Sequence, residues 1–121
     1  MSRSLVALAG LGGAFVVLVG CGPNCQSTCE HVYNTCGIEK PGQDQRELTR
    51  DCVYECETAL KNSGELGEYN PNQRRSTSES IVLENDAQAT AWMDCVWFIA
   101  PEGTPEQCED LDPRSGYCAP I

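Results

Sequence analysis

The chain opens with one long apolar segment and then changes to short amphipathic repeats. Residues 5–19 are almost wholly apolar. From residue 24 onward, apolar side chains and cysteines recur every three or four positions, which is the spacing of one face of a helix. This pattern predicts an all-α fold, with a helical hairpin over residues 24–63 and a third helix over about 77–100.

The first predicted helix has clear signals at both ends. Asn24 is a favourable N-cap, and Gly37 is a favourable residue for ending a helix. Between them Cys25, Cys29 and Cys36 recur at helical spacing. We therefore expect about three turns of helix with the cysteines on one face.

The second predicted helix begins at Asp44, which has capping-box spacing to Glu47, and ends near the polar residues 62–64. Its other side carries an acidic row made of Glu47, Asp51 and Glu55. We interpret this row as a solvated helix face rather than as paired catalytic carboxylates. The apolar face repeats in strict steps of four, at Leu48, Cys52, Cys56 and Leu60.

The third predicted helix has two candidate starts. Ser76 and Glu79 again have capping-box spacing, whereas a later start at Asn85 would leave a short separate segment before the helix. Either start leads into an apolar stripe that ends before Pro101. We interpret residues 64–80, which contain few apolar side chains, as a polar surface loop.

The two tryptophans of the third helix have different predicted environments. Trp92 lies on the apolar stripe and is expected in the core. Trp97 lies off that stripe, beside Phe98. These two side chains therefore form either an exposed contact surface or a second packing face.

The apolar N-terminal segment ends in Leu18-Val19-Gly20-Cys21, which resembles a bacterial lipobox. Residues 5–19 number 15, which is fewer than the roughly 20 that a membrane-spanning helix needs. The resemblance implies cleavage before Cys21 and attachment of lipid to the sulfur of that residue.

Cleavage at this point would leave a mature chain of 101 residues, which is one small domain. The predicted organisation is a lipoprotein signal peptide over 1–20, a lipidated tether over 21–24 and a disulfide-rich helical domain over 25–121. A tether of this length reaches only on the order of 10 Å. We expect a lipid-anchored location in the cell envelope, at the outer membrane, with the bilayer contacted through the acylated Cys21.

The number of cysteines agrees with export. An exported chain with an even set of cysteines is expected to form a disulfide framework, because the compartment outside the inner membrane is oxidising. A metal site is the alternative, but only His31 could add a nitrogen ligand, so we predict no metal and no cofactor. The chain has nine cysteines, and without Cys21 eight remain: Cys25, Cys29, Cys36, Cys52, Cys56, Cys95, Cys108 and Cys118.

The two C-x3-C pairs predict how they are bridged. Cysteines four positions apart lie one above the other on a helix, so two antiparallel helices can be joined twice. Facing positions in an antiparallel pair have a constant sum of residue numbers. Cys25 with Cys56 and Cys29 with Cys52 both give a sum of 81. The same sum centres the hairpin at residues 40–41, next to a proline-glycine turn signal.

The other four cysteines are less constrained by the sequence. Cys36 faces Gln45 in the hairpin register and must therefore pair outside the hairpin. With Cys95, Cys108 and Cys118 it allows three pairings. Of these we predict Cys95 with Cys108 and Cys36 with Cys118.

The hairpin over residues 25–56 resembles the small intermembrane-space chaperones of mitochondria and the plant α-hairpinin peptides, which share nested bridging. The 22 residues between its two cysteine pairs exceed the usual spacing of both groups, so their activities are not carried over. Together with the lipobox, residues 91–96 and the late Cys108 and Cys118, the hairpin is similar to small cysteine-rich lipoproteins of myxobacterial-type bacteria. That resemblance implies architecture and location.

Charge and motifs limit the function. Removal of Arg3 with the signal peptide leaves 7 basic and 18 acidic residues, a net charge of −11, which disfavours nucleic acid as a partner. The sequence has no nucleophile elbow, redox C-x-x-C or phosphate-binding glycine loop. We expect no enzyme activity, but a binding or structural module with an unknown protein partner. The alternative is a protease inhibitor or a chaperone-like hairpin that uses the loop at 38–47.

Overall fold

A computed structural model describes residues 22–74 and 81–121. Within these ranges the regular secondary structure is helical and includes no strand. Four disulfide bonds join the helices and the segments between them. The predicted all-α, disulfide-stapled fold is therefore confirmed. The predicted lipid-attachment residue, Cys21, and the signal peptide before it lie outside the described residues.

Helix α1 spans Cys25–Glu30 and continues as a π-helical segment over His31–Thr35. Asn24 caps it as predicted, because its Oδ1 accepts from the Ser27 N–H at 2.8 Å while Ser27 Oγ accepts from the Asn24 N–H at 3.2 Å. The chain leaves the helix at Gly37, whose φ of 65° suits glycine. The predicted helix is confirmed, but the repeat of cysteines gives no sign of the π-helical segment.

Helix α2 spans Gln45–Leu60 and is capped by Asp44, as predicted. The Glu47 N–H donates to Asp44 Oδ1 at 2.8 Å, and the Asp44 N–H donates to Glu47 Oε1 at 3.1 Å. Before this cap, the Gln43 N–H donates to the Lys40 carbonyl at 3.3 Å and closes a tight turn. The turn signal is confirmed, although the centre of the turn lies one residue later than the register predicts.

The two bridges of the hairpin form as predicted. Cys25 is bonded to Cys56 with a Cα–Cα distance of 5.8 Å, and Cys29 is bonded to Cys52 with a Cα–Cα distance of 5.9 Å. Both distances are ordinary for disulfides. They fix α1 and α2 as an antiparallel pair in the predicted register.

Helix α3 spans Asp86–Ile99. The prediction of a helix from about residue 77 is therefore wrong over the described residues 81–85. The later candidate is the observed cap, because Asn85 Oδ1 accepts from the Gln88 N–H at 3.0 Å. The backbone ahead of the cap is not helical because Leu83 is buried and its N–H donates to a carboxylate of α2. The earlier capping-box signal lies outside the described residues.

The aromatic side chains of α3 lie in different environments, which distinguishes an exposed contact surface from a second packing face. Trp92 is 2% exposed and belongs to the core, as predicted. Trp97 packs on α1, where its Nε1–H donates to Thr28 Oγ1 at 2.9 Å and its ring stacks on His31 at a centroid distance of 4.1 Å. Trp97 therefore forms the second packing face, whereas Phe98 is 79% exposed.

The remaining cysteines pair as Cys36–Cys108 and Cys95–Cys118, so the predicted pairs Cys36–Cys118 and Cys95–Cys108 are wrong. The chain beyond α3 turns back along α1 instead of folding onto α3, because His31 Nε2–H donates to the Ala100 carbonyl at 2.5 Å. This path carries the next cysteine to the end of the π-helical segment, and the last cysteine returns to the core.

The backbone just beyond α3 packs closely against the π-helical segment. A Cβ atom at Gly103 would lie 2.6 Å from Thr35 Cγ2, so the backbone there touches the π-helical segment directly. Helix α4 then spans Pro105–Glu109 and is capped by Thr104, with proline at its first position, where the missing N–H costs nothing. The short helix ends next to the segment that leads back to the core.

The polar loop after α2 is irregular and largely exposed over residues 64–74, yet it is tied to the C-terminal segment. The Cys118 N–H donates to the Pro71 carbonyl at 2.8 Å, and the Tyr69 hydroxyl donates to the Ala119 carbonyl. Arg74 donates to the Ser115 carbonyl at 2.8 Å. The sequence predicts the loop but not these contacts, since they join residues more than 40 positions apart.

Candidate functional site

The candidate site is a cavity of about 420 Å³ beside α2, between the turn and the C-terminal segment. We call it the hairpin groove. Its walls come from α1 and the turn, from α2, from residues 81–83 and from the C-terminal part of the chain. The residues that line it are Tyr33, Lys40, Pro41, Gln43, Leu48, Asp51, Cys52, Glu55, Ile81, Val82, Leu83, Trp92, Pro113, Arg114, Pro120 and Ile121.

Helix α2 lines the groove with both of its predicted faces. Leu48 and Cys52 belong to the apolar face, and Asp51 and Glu55 belong to the acidic row. These four positions follow i, i+3, i+4 and i+7, so they share one side of the helix. The groove therefore lies where an apolar stripe meets a pair of carboxylates, a combination that suits an amphipathic ligand.

Glu55 connects α2 to the segment before α3. Its Oε2 accepts from the Leu83 N–H at 3.1 Å, and the Leu83 side chain is 6% exposed. This contact holds residues 81–83 against the groove and leaves the side chain of Val82 61% exposed. The interpretation of the acidic row as a solvated face is therefore incomplete, because Glu55 is half-buried and has a structural partner.

Asp51 is held by its neighbours on the exposed side of the groove. Its Oδ2 accepts from Gln43 Nε2 at 3.1 Å, and its Oδ1 accepts from Arg50 Nε at 3.2 Å. The ion pair with Arg50 is well exposed, so its contribution to stability is small. At the turn end of the groove, the Lys40 ammonium lies 5.9 Å from the centre of the Tyr33 ring. The groove thus carries both signs of charge.

Burial, and next the negative charge of Glu55, raise the pKa of Tyr33 to about 12. The same two causes, in the same order, raise the pKa of Tyr69 above its ordinary value. Both phenols therefore stay neutral in the folded protein at pH values where a solvated tyrosine ionises. The Glu55 carboxylate influences both the backbone of residue 83 and the protonation of two tyrosines.

We predict an alkaline transition that depends on Tyr33. Because the folded-state pKa is raised, the stabilising contribution of the neutral phenol is complete below pH 10 and is lost as the pH rises to about 12. Tyrosinate absorbance measured against pH should show this step, and Tyr33→Phe should remove it. Glu55→Gln should move the step to lower pH without abolishing the shift, since burial is the larger cause. The ionisation of Tyr69 at still higher pH should remain in Tyr33→Phe, so only a step near pH 12 of undiminished amplitude in that variant would contradict the assignment.

A second cavity of about 750 Å³ adjoins the hairpin groove and shares Lys40, Pro41, Pro113 and Arg114 with it. Its other walls include Cys36 and Cys108, which form a disulfide. We call this cavity the Cys36–Cys108 cleft. The two cavities together surround the turn end of the hairpin.

The described residues contain neither a metal-binding cluster nor a helix that could span a membrane. No group of three or more His, Cys, Asp or Glu side chains in residues 22–74 and 81–121 is arranged to hold a metal ion. His31 is buried, and its Nε2–H is committed to the Ala100 carbonyl. In the same part of the chain, no helix is both long enough and apolar enough to cross a membrane.

Comparison of the chain with protein-family models, with curated proteins and with solved structures finds no match. Function therefore has to be inferred from the groove itself. The periodicity of α2 predicts the two helix faces that line the groove but not the groove itself, because residues 81–83 and 113–121 reach it only through tertiary contacts. The sequence offers one signal for that wall, the short aliphatic run at residues 81–83.

Proposed function

We propose that the protein is a lipid-anchored, non-enzymatic binding or structural module of the bacterial cell envelope, and that the hairpin groove binds a segment of a partner protein. The observation that carries this proposal is the groove, whose apolar and acidic positions converge from distant parts of the chain. Small-ligand and peptide sites are typically concave, with a few polar groups among apolar ones.

The groove is held open by covalent bonds and by a buried core. Cys52 lines it and is bonded to Cys29 in α1. Trp92 forms part of its floor and donates through Nε1–H to the Cys118 carbonyl at 3.1 Å. Cys118 is in turn bonded to Cys95. A site whose walls are fixed in this way loses little conformational entropy on binding, which favours affinity.

The chemistry of the groove favours an extended protein segment that carries one apolar and one basic side chain. Ile81 and Val82 expose aliphatic surface for the apolar side chain. Asp51 is exposed on the same groove, and its carboxylate, which accepts from Gln43 and Arg50, has further lone pairs that can receive the basic side chain. The net charge of −11 on the mature chain would attract such a partner over a longer range.

The lipobox resemblance suggests how the groove is oriented. A lipidated Cys21 would precede α1 by a few residues, so the Cys25–Cys56 end of the hairpin would lie near the bilayer. The turn at residues 40–43 is at the opposite end, and the groove opens beside it. The groove would then face away from the anchoring membrane, towards proteins of the envelope.

Photocrosslinking in native membranes tests the binding site. A photoreactive residue in place of Val82 should give an adduct with one envelope protein, whereas the same residue in place of Tyr54, which is 74% exposed and outside the groove, should not. Equal adducts at both positions would contradict the proposal.

The chemistry of the site is tested by reversing a charge. Asp51→Lys should weaken the Val82 adduct roughly tenfold, since like charges in the site disfavour the basic side chain. Asp94→Lys is the matched control, because Asp94 is exposed on α3 and lies outside the groove. If both substitutions weaken the adduct equally, overall charge rather than the groove selects the partner.

Anchoring is tested separately by Cys21→Ser. The substitution should release the folded domain from membranes or stop its processing, and normal maturation with unchanged membrane retention would contradict lipid attachment. Fractionation of the parent protein checks the outer-membrane location. The alternative function, a protease inhibitor or a chaperone-like hairpin that uses the loop at 38–47, stays a prediction; within that loop residues 40–43 form a tight turn, and α2 begins at Gln45.

A further inference from the structure

The four bridges among the described residues differ in their exposure to solvent. Cys36 and Cys108 are both partly exposed. Each of the other three bridges has at least one fully buried partner, because Cys56, Cys29 and Cys118 have almost no solvent-exposed surface. An attacking thiolate can approach Cys36–Cys108 from either cysteine, whereas the other bridges each have a buried partner; among those six cysteines only Cys52 is partly exposed, and it lines the hairpin groove.

The Cys36–Cys108 cleft gives a thiol reagent room to approach. The cavity has a volume of about 750 Å³ and is lined by both cysteines. Gly37 contributes no side chain to its wall, and Pro105 and Ile38 supply apolar surface. The bridge therefore borders an open space that is larger than a small dithiol requires.

The segment that the bridge holds is otherwise weakly attached. Helix α4 spans five residues and has no buried residue. The chain on either side is anchored without the bridge, since Leu111 is completely buried and Gly103 packs directly against Thr35. Opening of the bridge would release α4 alone and would leave the hairpin and the core in place.

We infer that Cys36–Cys108 is a thiol–disulfide exchange site, at which a dithiol reduces the bridge in the folded protein. One thiolate of the dithiol attacks a bridge sulfur, forms a mixed disulfide and expels the other cysteine as a thiolate, which takes up a proton. The second thiol of the dithiol loses its proton and, as a thiolate, displaces the protein sulfur of the mixed disulfide, which leaves as a thiolate and takes up a proton. Two electrons pass to the bridge, and the products are two protein thiols and the oxidised dithiol.

The exchange would widen the Cys36–Cys108 cleft and, through the shared residues Lys40 and Arg114, change one end of the hairpin groove. This inference does not depend on the lipid anchor or on the identity of a partner. It rests on the exposure of the two cysteines, on the cleft and on the weak attachment of α4.

Differential alkylation of the full folded chain tests the inference with dithiothreitol as the probe. The protein is treated without denaturant, new thiols are trapped with one alkylating reagent, and the rest are labelled with a second reagent after complete reduction. Mass mapping should show Cys36 and Cys108 trapped roughly tenfold faster than the six other bridged cysteines. Trapping of all eight together, or of another pair first, would overturn the inference.

Two further measurements exclude reduction through global unfolding. The rate of trapping at Cys36 and Cys108 should be insensitive to urea below the unfolding transition, and a steep rise with urea would contradict exchange in the folded state. In the variant Cys36→Ser with Cys108→Ser, the other six cysteines should stay unlabelled over the same time. Their labelling at the rate seen for Cys36 in the parent would count against a specific site.

Discussion

Replacement of Trp92 by alanine is expected to lower the free energy of unfolding by about 3–5 kcal/mol. The side chain is 2% exposed, and its Nε1–H donates to the Cys118 carbonyl at 3.1 Å. The substitution removes a large buried ring and also leaves that carbonyl without this donor. Urea denaturation without reductant measures the change, because the four bridges then remain intact in both states.

Phe98→Ala is the matched control for this prediction. Phe98 lies on the same helix and is also aromatic, but it is 79% exposed, so the change in the free energy of unfolding should stay within about 0.5 kcal/mol. If Trp92→Ala and Phe98→Ala have similar effects, Trp92 does not organise the core. A loss confined to Trp92→Ala would support the close packing of α3 against the C-terminal segment.

The hairpin could be predicted from the sequence because all of its signals are local. The N-caps Asn24 and Asp44, the spacing of the cysteines and the proline-glycine turn are each determined within a few residues. The register follows from helix geometry alone, since cysteines four positions apart share a face. Tertiary contacts change these elements only slightly, as in the π-helical segment at the end of α1.

The path of the chain after α3 could not be predicted in this way. It depends on contacts such as that of His31 with Ala100, which are 69 positions apart. Cysteine number and spacing allow three pairings for the last four cysteines, and no local signal distinguishes them. Local signals also do not choose between the two candidate starts of α3, because the hydrogen bond that opposes an earlier helical turn joins Leu83 to the distant Glu55.

The walls of the hairpin groove also differ in how far they could be predicted from the sequence. Positions 48, 51, 52 and 55 of α2 follow from helix periodicity, so the wall they form could be anticipated. The other walls, which residues 81–83 and the C-terminal segment form, could not be anticipated from the sequence. The groove therefore combines a rigid wall that two bridges fix with a wall whose position depends on the rest of the fold.

Loss of both hairpin bridges is expected to have the largest effect on stability. Cys29–Cys52 closes a sequence separation of 23 and Cys25–Cys56 one of 31, around the same turn. In the chain-entropy model, either bridge alone restricts the unfolded chain by an amount worth about 3 kcal/mol, and the second adds about 2 kcal/mol because the chain is already constrained. Replacement of all four cysteines by alanine should therefore cost about 5 kcal/mol.

The two bridges share one loop, so their effects should not add. Replacing Cys29 and Cys52 by alanine, or Cys25 and Cys56 by alanine, should cost about 2 kcal/mol each, because the remaining bridge still constrains the unfolded chain. Denaturation of the three variants without reductant tests this. The four-alanine variant should lose more than the sum of the two pairs. A loss equal to that of a single pair would mean that a bridge left alone contributes no stability, and it would contradict the expectation that either bridge by itself restricts the unfolded chain.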